Sequence, residues 1–126
     1  MSPPQILVVG PLDARQLSDV SALVEAATDA DGVRPLSEHV MLHLRYGGER
    51  PVRHVLAYLG SALAGYAHLD TTDLVEGASA EVVVHPAHRK QGVARQVVEV
   101  LLRESPDGRL RLWAHGEHPA AAALAR

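Results

Sequence analysis

The stretch from Glu81 to His115 constrains the fold more than any other. Val82-Val83-Val84 is an unbroken β-branched run, the pattern of a strand covered on both faces, and Ser79–His85 reads as that strand, ended by Pro86. A helix is predicted from about Gln91 to Glu104, with Val93, Val97, Val100 and Leu101 on one side and Ala94 and Val98 beside them. Pro106-Asp107-Gly108 turns the chain. Arg109–His115 then alternates Leu110 and Leu112 with Arg109 and Arg111, a second strand. Strand, helix, strand implies two parallel strands joined by a right-handed crossover.

The elements upstream are antiparallel or helical. Gln5–Gly10 reads as a short strand. Asp13 with Gln16 has the spacing of a capping box, and Leu17, Val20, Val24 and Ala27 give the following helix one apolar face until Asp31-Gly32 stops it. Ser37 is the expected N-cap of a second helix, with Glu38 in its first turn and Gly47-Gly48 as its end. Val52–Leu59 and Ala62–Leu69 form a hairpin about Gly60-Ser61, a type II′ signal, followed by a polar loop at Asp70–Ala78. In its second strand Leu63, Gly65, Ala67 and Leu69 should share one face, and Ala64, Tyr66 and His68 the other. A last helix is expected from Pro119. The expected fold class is α/β, one domain over residues 1–126, with a mixed sheet and flanking helices.

Composition removes several classes of function. The chain has no cysteine, so disulfides, thiolate metal sites and a cysteine nucleophile are excluded, and a cytoplasmic location fits. Twelve basic residues against fifteen acidic ones argue against a nucleic-acid partner. No apolar run is long enough to span a membrane, and Met1-Ser2-Pro3-Pro4-Gln5 is not a signal peptide.

Chemistry concentrates where the valine strand feeds the helix. Arg89, Lys90 and Arg95 stand there without an acid between them, in a chain that is acidic overall. A helix N-terminus offers free N–H groups and a positive dipole end, and Gly92 with Ala94 lets a ligand approach the backbone closely. Such a cradle suits a pyrophosphate. The dinucleotide-binding Gly-x-Gly-x-x-Gly and the P-loop ending are both absent.

Arg89-x-x-Gly92-x-Ala94 after Ala80-Glu81-Val82-Val83-Val84 resembles motif A of the GNAT acetyltransferases. The resemblance implies acetyl-CoA as cosubstrate, with no metal. It implies that Lys90, Gln91, Gly92, Val93, Ala94 and Arg95 hold the pyrophosphate, and that Val82, Val83 and Val84 pair with the acetyl-pantetheine end. Glu81 is then a weak candidate for the catalytic base. Asp31-Gly32-Val33-x-Pro35, Ala80-Glu81-Val82-Val83-Val84-His85-Pro86 and Trp113-Ala114-His115-Gly116 are similar to the first half of the mycothiol acetyltransferase family, a tandem of two GNAT domains. That likeness implies an N-terminal domain truncated before its last strands, a second GNAT domain as partner, and desacetylmycothiol as the small-molecule substrate whose cysteinyl amine is acetylated. It also implies that Glu38 contacts that substrate. The acid tyrosine that many GNAT enzymes carry on the last helix has no counterpart after Trp113, and the family's working chemistry resembles that of the second domain. The alternatives are acetylation of another small amine, or a non-catalytic acyl-CoA-binding module.

Other signals are weaker. His39 and His43 lack a third ligand for a metal, and Pro86 between His85 and His88 argues for a turn. Trp113 and Tyr66 read as core or cleft-lining rings rather than a stacking platform.

Overall fold

The computed structural model describes residues 4–46, 52–72, 75, 77–89, 91–105 and 108–115. Strand β1 (Gln5–Val9) leads into helix α1 (Ala14–Asp31). The capping box forms as expected: the Asp13 carboxylate accepts from the Gln16 N–H at 2.7 Å, and Gln16 Oε1 accepts from the Asp13 N–H at 3.0 Å. Gly32 ends α1 at a φ of +76°, which lets its N–H donate back to Thr28 O. Helix α2 (Glu38–Tyr46) starts after Ser37, whose Oγ accepts from the Val40 N–H at 3.3 Å. The expected cap is therefore in place.

Strands β2 (Val52–Leu59), β3 (Ala62–Asp70), β4 (Ala78–Val84) and β5 (Leu110–His115) complete a five-stranded sheet in the order β1-β2-β3-β4-β5. Every pairing is antiparallel except β4 with β5, which are parallel and joined through helix α3 (Val93–Glu104). The expected parallel pair and mixed sheet are both found. The helix expected from Pro119 falls outside the described residues.

Two apolar half-cores lie on opposite faces of the sheet. On one face α3 sets Val93, Val97 and Leu101 against Val55, Ala67, Leu69, Val82 and Val84. On the other, α1 and the start of α2 set Val20, Leu23, Val24 and Val40 against Leu56, Leu63, Tyr66 and Val83. The simple alternation expected along β3 breaks at a bulge. Ala57 pairs with Gly65 but Tyr58 with Leu63, so Ala64 is the extra residue. Leu63 consequently packs with Tyr66, while Ala64 packs with Ala67.

Gly65, beside the bulge, lets α3 sit down on the sheet. A Cβ there would lie 2.8 Å from Val93 Cγ1, the end of a stiff, buried side chain at the first residue of α3. Gly65→Ala is expected to cost about 2 kcal/mol, read from urea midpoints at constant m-value. A change below a few tenths would show that α3 is not held this closely.

Candidate functional site

Beyond Val84 the chain turns sharply. The His85 N–H donates to Ala64 O at 2.8 Å, and His85 Nδ1 accepts from the Ala87 N–H at 3.0 Å. This ring caps the short 3-10 turn Pro86–His88, so the turn expected at Pro86 is present. Partial burial, followed by the neighbouring His88 and Arg89 charges, holds the His85 pKa below its ordinary value.

Helix α3 starts at Val93, two residues later than expected at Gln91. The reason is Gly92, which takes a φ of +83° and serves as a left-handed N-cap. As a glycine it supplies no side-chain cap, and none comes from the described residues. The first-turn N–H groups therefore face outward from the positive end of the helix dipole. Val93 and Ala94 bury their side chains in the core, while Gln91, Gly92 and Arg95 are exposed. Only backbone from Val93 and Ala94 remains for a ligand. A Cβ built on Gly92 meets nothing within 4 Å, so open space lies against these donors. A pyrophosphate fits that space and that charge. Lys90 lies outside the described residues.

The β4 edge is only partly open. Val82 and Val83 pair with Ala67 and Tyr66 on one side and with Ala114 and His115 on the other. Val84 pairs with Gly65 and, among the described residues, has no partner in β5. Val84 is itself 2% exposed, and its carbonyl accepts from Arg89 Nε at 3.3 Å.

Glu81 sits at the base of an open cleft of about 420 Å³, lined by Arg34, Leu36, Ser37, Ser79, Glu81, Arg111 and Trp113. Its carboxylate straddles Ser37: Oε1 accepts from the Ser37 N–H at 2.6 Å and Oε2 from Ser37 Oγ at 2.7 Å. Both oxygens are thus engaged in joining β4 to the start of α2. Ser37 is a site residue that the sequence indicates only as a cap. Trp113 is 51% exposed and lines the cleft, and Tyr66 is buried, as expected of the two rings. Glu38 is exposed in the first turn of α2, one residue from Ser37, and is not among the cleft-lining residues.

An unexpected cluster lies behind the cleft. One register row crosses the sheet as His54, His68, Glu81 and Trp113. His54 and His68 are each 3% exposed, and His43 of α2 closes over them with ring centroids 6.0 and 5.2 Å away. His54 Nδ1 lies 2.6 Å from Tyr66 Oη. Neither ring nitrogen of His43 finds a hydrogen-bond partner among the described residues. Burial, then the adjacent His68 and His43, lower the His54 pKa to about 4, and burial raises that of Tyr66. Among the described residues, no group of three or more His, Cys, Asp or Glu is arranged to hold a metal ion, and no helix is long and apolar enough to cross a membrane.

A mixed sheet with a parallel β4–β5 pair, and a helix whose N-terminus opens at Gly92 after the turn that follows β4, are the features the site is built on. The chain belongs to the acetyltransferase (GNAT) family, whose model matches residues 20–126. A mycothiol acetyltransferase from Streptosporangium roseum is 61% identical over 116 residues, 92% of this chain and 34% of that protein. The chain spans about a third of the length of the curated relatives it matches. Among solved structures, the ribosomal-protein-S18-alanine N-acetyltransferase from Escherichia coli matches with a TM-score of 0.64 at 20% identity, over 95% of this chain and 74% of that one. Salmonella typhimurium yncA, solved with its cofactor acetyl-CoA, matches with a TM-score of 0.57 at 16% identity, over 94% of this chain and 75% of that one. These structural likenesses concern the fold.

Proposed function

We propose that this chain is the acetyl-CoA-binding N-terminal domain of a two-domain cytoplasmic enzyme that acetylates the cysteinyl amine of desacetylmycothiol. The observation that carries the reading is the open N-terminus of α3 at Gly92, reached from β4 through one short turn, in a chain 61% identical to a mycothiol acetyltransferase over 116 residues. Acetyl-CoA supplies an activated thioester. The chain's own residues bind and orient it. The N–H groups of Val93, Ala94 and Arg95, with Gln91, hold the pyrophosphate across Gly92, and Lys90 adds its charge. The pantetheine arm runs past the end of the Val82-Val83-Val84 strand. Glu38, beside the cleft at the start of α2, meets the polar substrate.

A second reading, binding without turnover, is favoured by Glu81. A general base must reach a proton on the substrate. Both Glu81 oxygens already accept from Ser37, which suits a strut between β4 and α2 better than a base.

Amide chemical-shift mapping with acetyl-CoA tests the proposal. Shifts are expected at Gln91–Arg95 and at Val84. Saturable shifts confined to the Glu81–Trp113 cleft, or none at all, contradict it. Release of free CoA thiol in the presence of desacetylmycothiol separates the readings: turnover by this chain overturns binding alone.

A further inference from the structure

The loop that carries Gly92 is anchored from a distance. The Arg89 guanidinium grips the Asp31 carboxylate with both forks, Nη1 to Oδ1 at 2.7 Å and Nη2 to Oδ2 at 2.6 Å. Its Nε donates to Val84 O at 3.3 Å. The two side chains are 16% and 21% exposed, so the pair is largely withdrawn from water. One guanidinium therefore ties together the end of α1, the last carbonyl of β4 and the loop three residues before Gly92.

The placement of Asp31 is informative. It is the last residue of α1, where the helix dipole disfavours a carboxylate. The bidentate partner offsets that cost, and a planar fork fixes direction as well as distance. Because Arg89 meets a carboxylate in both forks, its charge is matched within the protein. Phosphate is left to the backbone donors of α3 and to the other groups named above.

We infer that Asp31 and Arg89 are a positioning pair: they hold the loop so that the α3 N–H groups are set for phosphate before the ligand arrives. The inference rests on the acyl-CoA reading given above. Ordering a loop in advance removes that cost from binding, so release of the pair should weaken CoA affinity by about tenfold.

The test is a set of titrations on the full chain, with CoA and with S-acetylpantetheine, which lacks the pyrophosphate and the nucleotide. Asp31→Asn, Arg89→Gln and the double variant are compared with the parent chain, and NMR spectra report folding. The expected result has three parts. CoA affinity falls about tenfold in each single variant and no further in the double, as expected of residues that act through each other. Acetylpantetheine affinity does not change. Parent-like CoA binding by Asp31→Asn overturns the inference while leaving the acyl-CoA reading intact. Equal losses for both ligands also overturn it, because they mark a merely structural pair. Additive losses in the double variant, or tighter CoA binding by Asp31→Asn, make Arg89 a direct phosphate ligand instead. Failure of the parent chain to bind CoA overturns the acyl-CoA reading and this inference together. Should Asp31→Asn fail to fold, Arg89→Lys takes its place. It keeps the charge, loses the fork, and is expected to show the same selective loss of CoA.

Discussion

Gly92→Glu is expected to weaken acetyl-CoA binding by at least about 100-fold while the chain stays folded. Two terms separate cleanly at this position. The backbone φ of +83° disfavours any L side chain, at a cost of about 1–2 kcal/mol in stability. A Cβ meets nothing within 4 Å, so no steric collapse follows. The new carboxylate instead enters the space in front of the α3 N–H groups. There it competes for the donors and repels phosphate. Gly92→Ala carries the backbone strain without the charge and should lose far less affinity. Glutamate and alanine variants that bind alike would show that pyrophosphate is not held at this helix end.

Acid is expected to loosen the fold well before the carboxylates titrate. The His54 pKa is lowered from 6.5 to about 4, first by burial and then by His68 and His43. Its native partner, the Tyr66 hydroxyl, stays protonated because burial raises its pKa. The groups facing His54 are His43 from α2, His68 and Tyr66 from β3, and Glu81 near Tyr66 from β4. A pKa depressed by folding means that the unfolded chain binds the proton first. Stability is therefore complete above pH 6.5 and falls as the pH drops towards 4. Between pH 7 and pH 5 the expected loss from His54 is about 2 kcal/mol. Urea midpoints across that range measure it, and His54→Gln should flatten the slope. An unchanged slope in that variant would place the proton elsewhere.

Local signals were the legible ones. The Asp13–Gln16 box, the Ser37 cap and the Gly60-Ser61 hairpin each rest on contacts within a few residues, and all three appear in the structure. The valine run and the amphipathic α3 carried the parallel crossover. The histidine cluster was hidden by a single inserted residue. A regular two-residue hairpin about Gly60-Ser61 would pair His54 with Ala67, whereas the bulge at Ala64 brings it opposite His68. Ser37 with Glu81, and Asp31 with Arg89, join residues 44 and 58 positions apart. No periodicity reports such contacts, because they depend on how α1 and α2 lie across the sheet. For the same reason the sequence offered Glu81 as a base without revealing that Ser37 occupies its carboxylate.

Calorimetric titration of this chain with acetyl-CoA is the most direct test of the account. The predicted result is saturable binding at one site per chain, with heat that disappears in Gly92→Glu. No binding by a chain that circular dichroism shows to be folded would contradict it, and would leave the domain as a GNAT scaffold without a working cofactor site.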